Sequence, residues 1–163
     1  METVEYAVDK AYELNKTIIL NPAPGATLSS NIIKKCTFLT PNENEAGLIT
    51  NMPYDTIDNI KAAANKLIDQ GAQNVIITLG EKGAYLKNKK DDIIIPTCKV
   101  NAVDTTGAGD CFTGVFATYL AEGKDILEAI KYANVASSIS VTRPGAVPSL
   151  PTKSEIDEKM KNN

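Results

Sequence analysis

Apolar positions along the chain alternate between helical and strand spacing. Val4, Ala7, Val8, Ala11 and Leu14 recur at steps of three and four, which predicts an amphipathic helix ended by Asn15 and Lys16. Residues 17–20 (TIIL) are short, continuous and β-branched, the pattern of a buried strand. A turn, NPAPGA, follows, and a second short strand over residues 37–40 stops at Pro41. Asp55 is placed to cap a helix whose stripe is Ile57, Ile60, Ala64, Leu67 and Ile68, with Gly71 as its stop. Residues 74–78 (NVIIT) predict another buried strand. Strands over 84–87 and 92–96 follow, joined by the polar hairpin tip NKKDD. Phe112, Val115, Phe116, Tyr119 and Leu120 mark the next helix, which Gly123 ends. Asp125 and Glu128 resemble a capping box for a helix running towards Val141, and Ser154 is placed to cap a last, charged helix.

Strands that are apolar throughout and alternate with helices predict an α/β fold, with a mainly parallel sheet and helices on both faces. Ligands of such folds bind beyond the carboxyl ends of the strands. The polar and glycine-bearing clusters fall at those places: NPAPG after the first strand, PNENE after the second and LGEKG after the third.

Composition narrows the chemistry. The 163 residues suit one domain; 43% are hydrophobic and 23% charged, and the net charge is -3, so neither disorder nor a nucleic-acid surface is indicated. No apolar run approaches the roughly 20 residues of a membrane span. The opening METVEYAVDK does not have the form of a signal peptide. Cys36, Cys98 and Cys111 show no CxxC spacing, which points to reduced thiols and a cytoplasmic protein. With no histidine in the chain, proton transfer falls to a carboxylate, Lys, Tyr or Cys.

The segment DTTGAGD, residues 104–110, lies just before the Phe112 helix. Its glycines permit a tight turn, and free N–H groups at a helix start attract an anion, so Gly107, Ala108, Gly109 and Asp110 are candidates for a phosphate nest. No Walker loop, GxxxxGK[ST], is present. Two readings of Asp110 stay open: a helix cap, or a base that takes the proton of an attacking hydroxyl. The glycine turn over residues 80–83 reads either as a plain turn or as part of a binding site. Asn42 and Glu45 read either as a cap with a first-turn acid or as holders of a hydrated Mg²⁺ near a nucleotide. TRPGAVPSLP reads as a rigid structural loop or as a source of carbonyls for a monovalent cation.

DTTGAGDCFTG resembles the C-terminal signature of the ribokinase (PfkB) family of carbohydrate kinases. LNPAPG, PNENEAGLIT, ITLGEKGAYL and ANVASSISVTRPGAVPSLP agree with that family in order and spacing. The NPAP turn and the TRxGAxPS ending are more similar to ribokinases than to fructokinases or adenosine kinases. The resemblance implies ATP as phosphoryl donor, with Mg²⁺ and an activating K⁺, and a sugar acceptor, D-ribose favoured. It assigns Asp110 as base and residues 107–110 as anion hole. It assigns Asn42 and Glu45 to the Mg²⁺–phosphate motif. Thr78, Leu79, Gly80, Glu81, Lys82 and Gly83, with Gly109 and Asn134, are assigned to the nucleotide, and Asp104, Thr106, Ser140, Arg143, Gly145 and Ser149 to the potassium loops. Asn134 departs from the family, where histidine is frequent.

Family members are close to twice this length. The resemblance therefore implies a three-layer ribokinase-like fold with a mainly parallel sheet, truncated, without the lid or the N-terminal strands: residues 1–163 as the C-terminal part of one domain. It implies a homodimeric parent and a shorter chain that self-associates. For the chain alone, a nucleotide-binding fragment without turnover is the alternative to an active kinase, and a related sugar or nucleoside is the alternative to ribose.

Overall fold

The computed structural model describes residues 2–25 and 27–162, so Ala26 of the predicted NPAPGA turn lies outside the described residues. The chain divides into two compact units: residues 1–79 with 85–93, and residues 80–84 with 94–163.

Five strands form one mixed sheet in the order β1-β2-β3-β4-β5: β1 Ile19–Leu20, β2 Phe38–Leu39, β3 Asn74–Thr78, β4 Ala84–Lys87 and β5 Asp92–Ile95. The first three are parallel, with Ile19 opposite Phe38 and Leu39 opposite Val75. A further parallel bridge joins Asn42 to Thr78. The predicted strand over 17–20 is shorter than expected and only half-buried at Ile19 and Leu20. It is an outer strand of the sheet, with β2 beside it on one side. β3 is central and its Val75, Ile76 and Ile77 are fully buried, as a continuous apolar run requires.

In the first unit the helices are α1 Glu2–Glu13, α2 Ser30–Lys35, α3 Glu43–Thr50 and α4 Ile57–Asp69. α4 buries Ile60, Ala64 and Leu67 in a core shared with Ile32, Ile33, Leu39, Val75, Ile77 and Leu79. Its cap is Thr56, not Asp55: the Thr56 hydroxyl accepts the Asn59 N–H, while Asp55 accepts the Asn59 side-chain amide. Gly71 stops α4 as expected, at φ +107, where the left-handed region favours glycine. α1 forms as predicted, but of its apolar stripe only Val8 is buried; Val4 and Leu14 are exposed. The hairpin tip is anchored by a buried Asn88, whose Oδ1 accepts from the Lys90 and Asp91 N–H groups and whose amide donates to Asn74 Oδ1.

The second unit contains α5 Ala108–Ala121, α6 Ile126–Ser140 and α7 Lys153–Lys161. α5 packs along α6, and α6 packs against α7. Cys111, Val135, Ala136, Ile139 and Ile156 form a shared core. Asp125 caps α6 by accepting the Glu128 N–H; the Glu128 carboxylate pairs with Lys124 rather than closing a box. α7 starts at Thr152, not Ser154, and carries a full capping box with Glu155. Among the described residues no helix is long and apolar enough to cross a membrane.

Gly83 imposes the tightest backbone approach in this unit. Its φ is +98, and a Cβ there would stand 2.1 Å from the Ile95 carbonyl oxygen. Gly83→Ala is expected to destabilise the chain by at least about 2 kcal/mol, from left-handed strain plus a clash that only backbone movement relieves. Chemical denaturation followed by circular dichroism measures this; a loss below about 0.5 kcal/mol would contradict the geometry.

Candidate active site

The start of α5 is unusual in having no side-chain cap. Its N-cap is Gly107, at φ +76, a conformation that admits the turn without strain only for glycine. A Cβ on Gly107 would stand 3.4 Å from Ala146, so the two loops of the second unit meet here. Ala108 donates its N–H to the Thr105 carbonyl. The N–H groups of Gly109 and Asp110 have no acceptor among the described residues, as befits the first turn of a helix. A phosphate oxygen fits such donors, and the helix dipole adds to the attraction.

Asp110 is the third residue of α5 and is solvent-exposed. It is therefore not the N-cap, and of the two sequence readings the cap is excluded: the helix has no side-chain cap bond. Its carboxylate makes no hydrogen bond or ion pair among the described residues. Next to it, Cys111 is buried against the Ser137 and Ser140 hydroxyls, and burial pushes its thiol above the ordinary value. Cys36 is likewise pushed up, to about 11. Neither thiol competes with Asp110 as a proton acceptor near neutrality.

Asp104 ties the two loops together. Its Oδ1 accepts the Thr106 N–H at 2.9 Å and its Oδ2 the Gly145 N–H at 2.8 Å. The Thr106 hydroxyl, followed by these two N–H groups, holds the carboxyl at about 2, well below its usual range. The Asp104 N–H in turn reaches the Val141 carbonyl. Of the six residues assigned to a cation, Asp104, Thr106 and Gly145 are thus brought together. The Ser140 and Ser149 hydroxyls donate to the Ser137 and Ala146 carbonyls. The Arg143 guanidinium turns to Glu155, and as a cation it is no metal ligand. Among the described residues no group of three or more His, Cys, Asp or Glu is placed to hold a metal ion.

Asn134 is 4% exposed, and its amide donates to the carbonyls of Ile95 and Pro96. Its own carbonyl accepts from Thr97. This side chain braces the segment that underlies Gly83; contact with a nucleotide through the same amide would require breaking those bonds. Gly80, Glu81 and Lys82 form an exposed single turn ahead of Gly83.

In the first unit, Asn42 and Glu45 make a complete capping box for α3: Asn42 Oδ1 accepts the Glu45 N–H, and the Asn42 N–H donates to Glu45 Oε2, both at 2.8 Å. Glu45 is nonetheless buried, and its Oε1 stands outside the box. The capping role is therefore realised and leaves one carboxylate oxygen for another partner. Gly25 of the NPAPG turn packs on the Glu45 backbone and side chain, closely enough that a Cβ there would stand 3.3 Å from Glu45 Cα. Thr78 donates its N–H to the Pro41 carbonyl, and the Leu79 side chain lies in the core.

The braces Ser137 and Glu155 support this geometry without having been singled out in the sequence, and Asn134, assigned there to the nucleotide, is a brace as well. Ser137 donates to the Ala108 carbonyl from 29 positions away. Only the T-x-x-E pattern of residues 152–155 announced Glu155, and then as a cap.

The model for the pfkB family of carbohydrate kinases matches residues 1–153. A deoxyribokinase from Salmonella typhi is 40% identical across 100% of this chain and 54% of its own length. A ribokinase from Schizosaccharomyces pombe is 40% identical across 96% of this chain and 51% of its own. The fold is similar to that of Arabidopsis thaliana ribokinase complexed with ribose and ATP, at 30% identity and a TM-score of 0.91, covering 98% of this chain and 52% of that one. The chain thus spans about half the length of the curated relatives it matches. The signature at residues 104–114, the ribokinase-like α/β fold and the family match agree, and the chain belongs to the pfkB family of carbohydrate kinases.

Proposed function

We propose that this chain is the nucleotide-binding and catalytic-base part of an ATP-dependent sugar kinase, the C-terminal portion of one ribokinase-like domain. In the full-length polypeptide it transfers the γ-phosphoryl group to the terminal hydroxyl of D-ribose. The observation that carries this is the unpaired Asp110 carboxylate beside the unpartnered Gly109 and Asp110 N–H groups. A first-turn carboxylate also stabilises an ordinary helix through its dipole; what sets α5 apart is that no side-chain cap precedes it, so the first-turn donors stay open to an anion. Phosphoryl transfer uses both: the donors stabilise charge on the transferred group, and the carboxylate accepts the proton of the attacking hydroxyl as the new P–O bond forms and the bond to ADP breaks.

Asn42 and Glu45 would hold a hydrated Mg²⁺ through the free Glu45 oxygen, and Mg²⁺ supplies charge neutralisation on the phosphates. The turn at residues 80–83, with Thr78 and Leu79, would line the nucleotide. The loops around Asp104 would hold K⁺. Reduced Cys36 and Cys111, both buried, suit a cytoplasmic protein, and a homodimeric parent fits the family. A deoxyribokinase stands among the 40%-identical relatives, so 2-deoxyribose is the rival acceptor.

In the full-length polypeptide, Asp110→Asn is expected to lower kcat by about 10²–10⁴-fold with little change in nucleotide affinity. A steady-state phosphotransfer assay across a sugar panel measures this, and a loss below tenfold would sink the base assignment. The chain alone is expected to bind ADP weakly by calorimetry and to show no turnover, because positioning of the acceptor hydroxyl is most of the catalysis. Measurable ribose phosphorylation by the chain alone would refute that expectation.

A further inference from the structure

We infer that Arg143 and Glu155 are positioning residues: their ion pair clasps the loop of residues 141–149 to the start of α7 and so fixes the mouth of the anion-binding turn. This rests on the reading of the α5 start as a phosphate site and adds to it a device outside that site. Arg143 Nη2 donates to Glu155 Oε1, while Glu155 Oε2 accepts the Thr152 N–H and hydroxyl. One carboxylate therefore serves two tasks with separate oxygens: one caps α7 and the other holds the loop. α7 is itself anchored by Ile156 in the core of the second unit, so the clasp ties the loop to a fixed support.

The loop so held carries three contacts that shape the site. The Arg143 N–H donates to the Ser140 carbonyl at the end of α6. Two residues on, Gly145, at φ +83, donates its N–H to Asp104. Next to it, Ala146 lies against Gly107, the residue that opens α5. A shift of residues 143–146 would thus withdraw a donor from Asp104 and release Gly107 together. The planar guanidinium is suited to this, since it binds carboxylate with directional, charge-assisted bonds, which an ammonium supplies only as a point charge.

Glutamine still closes a capping box, so Glu155→Gln separates the clasp from the cap. Amide exchange of the intact chain is read by NMR for the wild type, Glu155→Gln, Arg143→Met and Arg143→Lys. ADP affinity is measured in potassium and in sodium chloride. The expected result is exchange of the Gly145 amide about tenfold faster or more in Glu155→Gln and Arg143→Met, with α7 amides still protected in Glu155→Gln. Arg143→Lys should be intermediate, and the preference of ADP binding for potassium should be lost in the first two variants. Unchanged Gly145 exchange in Glu155→Gln and Arg143→Met overturns the clasp. Faster exchange with an intact potassium preference overturns its link to the site. Should Arg143→Met fail to fold, Glu155→Gln and Arg143→Lys decide the question. A wild-type chain that binds no ADP counts against the proposed function, while the Gly145 exchange still decides the clasp.

Discussion

Asp104 joins segments 41 residues apart with one carboxylate. Its two oxygens accept the N–H groups of Thr106 and Gly145, and its own N–H returns to Val141. Everything proposed for the second unit depends on this knot. It sets the turn that leads into Gly107, whose φ of +76 favours glycine, and it places Ala146 within van der Waals reach of that residue. The Thr106 hydroxyl, with the Gly145 and Thr106 N–H groups, also holds the Asp104 carboxyl at about 2, so the knot stays closed across the physiological range. The Arg143–Glu155 pair extends the same logic outwards to α7, with Glu155 likewise held down to about 2 by the guanidinium and the Thr152 donors.

With the turn so fixed, α5 begins without a side-chain cap. Most helices satisfy their first N–H groups with a Ser, Thr, Asp or Asn at the N-cap, as Asp125 does for α6 and Thr152 for α7. α5 leaves those of Gly109 and Asp110 open and places a free carboxylate beside them. The contrast within one unit is informative: two helices carry a side-chain cap and one does not. A glycine start is a small loss of stability, on the order of a few tenths of a kcal/mol, and it lies within the residues that the family model matches.

Much of this was readable in the sequence, because much of it is local. The strands over residues 74–78 and 84–87, the Gly71 and Gly123 stops and the α4 and α5 stripes follow from periodicity and from residues with special backbone freedom. Where two capping residues stand close together, local reading chose wrongly: Thr56 and Thr152 cap α4 and α7, not Asp55 and Ser154. For α7 the T-x-x-E pattern carried the right answer. The α1 stripe was correct as a helix, yet periodicity does not reveal how much of a stripe is covered. In the site, the glycine turn and Asp110 were legible as types at a spacing, and the cap reading of Asp110 fell only once the helix start was located. The long-range braces were not legible at all: Asn134 on Ile95, Ser137 on Ala108 and Arg143 on Glu155 pair residues whose partners nothing in their neighbourhoods specifies.

The central claim is that the uncapped start of α5 receives phosphate beside the Asp110 carboxyl group. Titration of ADP into the chain, followed by ¹⁵N–¹H chemical shifts, tests it most directly. The account predicts that the Gly109 and Asp110 amides shift first and furthest, downfield as they gain a charged acceptor. Saturable binding that leaves both amides unmoved would contradict it.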